Sequence, residues 1–223
     1  MNDCIDKNID KHIPRTKKRP LVIKKIKIKN ALILYLFLIF LSFFLVLQLN
    51  RMSIFLSLIS LSLMILYPYT KRITYFPQII LGCTFSMSIL IVYISNNLFF
   101  PVESWLLFIT NIIWIIIYDT QYATTDMKYD IIISIKSTAI LFGKKNRKII
   151  LYFQCLMIFS LIYIGYYLKL NYIFFIHLII AGLIFLYQQK LMKKNNQNAY
   201  LKAFKSNQYV GLIIFIGIFL NFL

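Results

Sequence analysis

Seven long apolar stretches leave this chain few ways to fold: residues 31–49, 53–69, 77–95, 104–118, 149–168, 171–189 and 209–223. A bilayer core about 30 Å thick is crossed by roughly 20 helical residues. Most of the stretches are long enough; the fourth and seventh are expected to borrow neighbouring residues. Lipid offers no partner to backbone N–H and C=O groups, so the stretches must be helices. The reading is an all-α, multi-pass transmembrane bundle with seven spans, one domain over residues 1–223. With 60% hydrophobic residues and a mean hydropathy of +0.74, no soluble fold is expected. Cys4, Cys83 and Cys155 have no C-x-x-C spacing and predict no disulfide framework. No signal peptide is expected before the first span.

The net charge of +18 would suit nucleic acid in a soluble protein. Here the charges sit in loops, and no nucleic-acid partner is expected. With residues 1–30 placed inside, every Lys and Arg except Arg51 and Lys169 falls in an inner loop. That is the positive-inside pattern of a multi-pass membrane protein.

The chain has only seven acidic residues. Asp3, Asp6 and Asp10 form one group, Asp119, Asp126 and Asp130 another, and Glu103 lies apart on the outer side. On helices, the first trio falls within about 60° and the second within about 40°. Three carboxylates on one face repel each other unless a cation sits among them. Hard oxygen ligands of this kind suit Mg²⁺ with phosphate oxygens. A merely solvated acidic helix end fits poorly with such basic surroundings. Both groups fall at the inner rim, with Arg15, Lys17, Lys18, Arg19, Lys71, Arg72 and Lys136 around them. Metal-binding acids, anion-binding cations and an apolar bundle together suit a diphosphate with a long hydrocarbon tail.

Asn2-Asp3-x-x-Asp6-x-x-x-Asp10, continuing through His12, Arg15-Thr16 and Arg19-Pro20-Leu21, resembles the first aspartate motif of the UbiA superfamily of intramembrane aromatic prenyltransferases. Residues 118–130, YDTQYATTDMKYD, resemble the second. Three further pieces resemble its 4-hydroxybenzoate branch. They are Tyr67-Pro68 with Lys71-Arg72-x-Thr74-x-x-Pro77-Gln78, then residues 136–143 (KSTAILFG), then Lys202-Ala203-Phe204-x-x-Asn207-x-x-Val210-Gly211. Such relatives usually have nine transmembrane helices, so about two are expected to be missing before Met1. Residues 1–10 would lose their support, and with it most of the activity. Tyr129 stands where relatives often carry another Asp, and the VIKKIKIKN run replaces a Pro-Ser-Gly turn.

The resemblance implies a site on the cytoplasmic face of a bacterial inner membrane, with polyprenyl diphosphate and 4-hydroxybenzoate as substrates. It implies that Asp3, Asp6, Asp10, Asp119, Asp126 and Asp130 hold Mg²⁺ and the diphosphate. Asn2 would orient them, with Arg15, Arg19, Lys71 and Lys136 near the substrate. Arg72 is the candidate for the benzoate carboxylate, which Arg can bind bidentately; an inner-face anchor is the plainer role. Tyr118 and Tyr122 suit either carbocation shielding or an interfacial belt. His12 suits phosphate or solvent, and His177 packing within its span. Pro68 and Pro77 are expected to flank a loop or kink. Three rivals remain: a cation transporter, disfavoured because its acids would lie at mid-membrane; a non-catalytic remnant; and a sister enzyme using haem or a naphthoate.

Overall fold

The computed structural model describes residues 2–96 and 99–222. Met1, where the first inner loop begins, and Leu223, where the last expected span ends, lie outside them. Among the described residues the regular elements are all helical, in the order α1 (Asn2–Ile5), α2 (Lys7–Asp10), α3 (Ile28–Val46), α4 (Arg51–Ile73), α5 (Pro77–Asn96), α6 (Val102–Ile132), α7 (Thr138–Phe142), α8 (Asn146–Tyr167), α9 (Tyr172–Met192) and α10 (Gln197–Phe219).

Each of the seven expected spans lies on its own long helix. The ends follow local chemistry. Asn50, Asn171 and Asn196 cap α4, α9 and α10 by accepting backbone N–H groups of Ser53, Ile173 and Ala199. Pro77 opens α5, where a missing N–H costs nothing, while Pro68 sits inside α4.

Six of these helical stretches are long and apolar enough to cross a membrane; α10, the last of the seven long helices, differs. Its first half carries Lys202, Lys205, Ser206, Asn207 and Gln208, which leaves only its second half continuously apolar. The other short expected span, 104–118, belongs to a helix of 31 residues. At 1.5 Å per residue α6 is about 46 Å long, well beyond a hydrocarbon core of about 30 Å. Its acidic C-terminal turns therefore continue the span as helix rather than starting a loop.

Helix α6 is the central element. It packs against α5, α8 and α10; α9 closes the other side against α8 and α10, and α4 flanks α5. The core lies among α6, α8, α9 and α10, around Ile117, Ile150, Phe174, Ala203 and Val210. Helix α3 has no buried residue and leans lightly on α1 and α4. Its exposed Leu36, Phe37 and Leu45 suit lipid, not water.

Candidate active site

One cleft gathers the chemistry at one end of the bundle. The last turns of α4 bring Tyr67 and Lys71, the first turn of α5 brings Gln78, and the end of α6 brings Asp119, Tyr122, Asp126 and Asp130. The N-terminal segment adds Asn2, Asp6, Asp10, Arg15 and Arg19, and the turn after α6 adds Lys136 and Ser137. The cavity measures about 120 Å³. Five of the six expected aspartates line it, so the two acidic stretches share one site.

Asp3 is the sixth, and it does not line the cleft. The helical turns break at Asp6, between α1 and α2, and Asp3 is left half-exposed at the rim. Arg19 still ties it to the group, donating from Nη1 to Asp3 Oδ1 at 2.9 Å and to Asp10 Oδ2 at 2.8 Å. Burial pushes the Asp10 carboxyl above its ordinary range, and pairing with Arg19 pulls it back only in part.

The other cations are equally engaged. Arg15 donates from Nε to Asp126 Oδ2 at 3.1 Å and from Nη2 to the Tyr122 hydroxyl at 2.6 Å. Its guanidinium carbon stands 4.5 Å from the Tyr122 ring centroid. Lys71 pairs with Asp6. Lys136 reaches the cleft wall, but its Nζ donates to the Ile73 carbonyl at 2.9 Å, and so caps the end of α4. Its backbone N–H donates to Lys71 O at 2.8 Å, which holds the turn against α4.

Arg72 is not brought to the cleft. It is exposed, one residue past Lys71 and on another face of the same helix. Tyr118 also lies outside the polar cleft, in a separate recess that it lines with Trp114, Phe204, Lys205, Asn207 and Gln208. Among the described residues, no three His, Cys, Asp or Glu side chains group closely enough to hold a metal by themselves.

Gln78 was not among the expected site residues. It accepts the Thr138 backbone N–H at 3.2 Å, so it links α5 and α7, and it lines the cleft with Asp119. Its place beside Pro77 in a motif was its only signal in the sequence.

Residues 1–221 match the UbiA prenyltransferase family. The chain belongs to this family. It is 44% identical over 223 residues to the 4-hydroxybenzoate octaprenyltransferase of Providencia stuartii, covering 100% of this chain and 77% of that protein. It is 45% identical over 224 residues to the protein of that name from Blochmanniella floridana, covering 79% of it. In three dimensions it is similar to the apo structure of a UbiA homolog from Aeropyrum pernix K1, with a TM-score of 0.86 and 24% identity over 100% of this chain and 83% of that one. At that identity the structural likeness speaks to fold alone. In this UbiA chain, the cleft sits where the two aspartate stretches meet.

Proposed function

We propose that the chain transfers a polyprenyl group from polyprenyl diphosphate to the ring of 4-hydroxybenzoate, as a multi-pass protein of the bacterial inner membrane with its cleft toward the cytoplasm. The observation that carries this reading is the meeting of two aspartate stretches and three paired cations in one cleft above an apolar bundle. The names of the similar relatives supply the acceptor, and the Lys and Arg asymmetry supports the orientation.

In this reaction the allylic C–O bond breaks, a carbon–carbon bond forms ortho to the phenol hydroxyl, and diphosphate and a proton leave. Arg15, Arg19 and Lys71 would take the diphosphate oxygens by exchanging their carboxylate partners. The Tyr122 ring would stabilise positive charge on the allylic carbon once Arg15, which stands over it, turns to the diphosphate.

The residues fit Mg²⁺. Asp6 Oδ1 and Asn2 Oδ1 are buried on the cleft wall without a hydrogen-bond partner. Such hard oxygens suit an ion that typically takes one or two carboxylates and completes its shell with phosphate and water. When bound, Mg²⁺ would neutralise charge on the departing diphosphate. Asp6, Asp10, Asp126 and Asp130, with phosphate oxygens and water, are the ligands that would hold it.

The test is transfer of labelled 4-hydroxybenzoate to a lipid product in membranes from a strain without its own enzyme. Asp6→Asn and Asp126→Asn should each lower kcat/KM by about 100-fold or more. Product formed at the wild-type rate by either variant would refute the reading.

A further inference from the structure

We infer that Trp114 is a specificity-determining residue for the prenyl chain, as the wall that ends the lane the chain follows away from the cleft. The inference rests on the prenyl-transfer reading above and concerns a part of the bundle that the polar cleft does not reach.

An aromatic path leads out of the cleft. Tyr122 lines the cleft, and its ring centroid lies 5.0 Å from that of Phe204 on α10. Phe204 is 6.2 Å from Tyr118, and Tyr118 is 5.8 Å from Trp114. Trp114, Tyr118 and Tyr122 recur at intervals of four, so they stack along one face of α6. Tyr118, Phe204 and Trp114, with Lys205, Asn207 and Gln208, line a recess of about 330 Å³ between α6 and α10, in which the three rings form an apolar wall. A hydrocarbon that leaves the cleft past the Tyr122 and Phe204 rings would enter it.

Beyond Trp114 lies a second cavity, of about 130 Å³, lined by apolar side chains such as Leu107, Met157, Leu161 and Ile214. Trp114 lines both cavities and stands between them. Its position is fixed from two sides. The indole Nε1 donates to Asn207 Oδ1 at 3.3 Å, and Asn207 in turn donates to Gln121 at 2.7 Å. On the α10 side it lies against Gly211. A Cβ at that glycine would stand 2.6 Å from the far edge of the indole, so any larger residue would displace the ring. A bulky ring held by a hydrogen bond and a glycine is a rigid stop, and it keeps the inner cavity out of the lane.

The test compares kcat/KM for dimethylallyl, geranyl, geranylgeranyl and octaprenyl diphosphates with 4-hydroxybenzoate in membranes. Trp114 lies eight residues, about 12 Å along α6, from Tyr122, so a five-carbon donor stops short of the wall and a twenty-carbon one reaches it. Trp114→Ala joins the two cavities, and should raise the geranylgeranyl-to-dimethylallyl ratio of kcat/KM about tenfold, mainly through KM. Trp114→Phe, a milder change, should move the ratio the same way by a smaller factor, and supplies the ratio should the alanine variant not fold. Gly211→Ala pushes the indole from the other side and should change the ratio too. An unchanged ratio in both Trp114 variants overturns the assignment, as does loss of transfer from every donor in both, which would mark Trp114 as purely structural. No transfer from any donor by the wild-type chain would instead overturn the prenyl-transfer reading itself.

Discussion

Arg15, Arg19 and Lys71 each hold a carboxylate that another ligand would claim. Asp126 and Tyr122 outweigh burial at Arg15 and hold its guanidinium more firmly charged than usual. These are charge-assisted contacts, and a diphosphate with its metal offers the same exchange to both members of each pair. Neighbours on one helix can therefore differ sharply. Lys71 faces Asp6 in the cleft, and Arg72 faces outward. Lys71→Met should raise KM for the prenyl donor about tenfold or more, the scale of a lost charged hydrogen bond. Arg72→Met should leave KM for both substrates within about twofold, as surface changes usually do. Steady-state kinetics on both variants decides it; a large rise in KM for 4-hydroxybenzoate in Arg72→Met would restore Arg72 as the carboxylate ligand.

Helix α6 turns the sequence into a site. Its cleft face carries Asp119, Tyr122, Asp126 and Asp130, and Gln121 anchors its opposite face. Gln121 donates to Gln188 at 2.9 Å, Gln154 donates to the same oxygen at 2.7 Å, and Gln188 donates to Ser206 at 3.0 Å. These buried amides join α6, α8, α9 and α10 inside the bundle. Gln188→Leu would leave three polar groups without that partner, at about 1–3 kcal/mol for each that stays unsatisfied. The thermal transition in detergent should fall clearly, and an unchanged transition would show that the network does not hold α6. This network was not legible in the sequence, because its members lie one per helix, Gln121 and Ser206 outside the apolar stretches, and meet only after folding. The spans and the aspartate stretches were legible, since continuous apolarity and rare acids stand out against such a background. The outward turn of Asp3 was not, because it depends on a helix break at Asp6. The polar half of α10 read as loop, yet Ser206 and Asn207 are buried there.

At the scale of the whole molecule, two gradients act together. Apolar side chains face outward along the helices, with Phe159 69% and Leu183 59% exposed, as a lipid-facing surface requires. The cations collect at one end, beside the cleft. Cysteines placed at Phe100 and Lys145 should react with an impermeant thiol reagent from opposite sides of the membrane; labelling of both from one side would contradict this topology. The central claim is that two acidic stretches, more than a hundred residues apart, make one diphosphate site. Calorimetric titration of the purified chain with inorganic diphosphate and Mg²⁺ tests it most directly. Wild type should bind one diphosphate per chain, and Asp6→Asn and Asp126→Asn should each weaken that binding by about tenfold or more. Unchanged affinity in either variant would mean that the two stretches do not share a site.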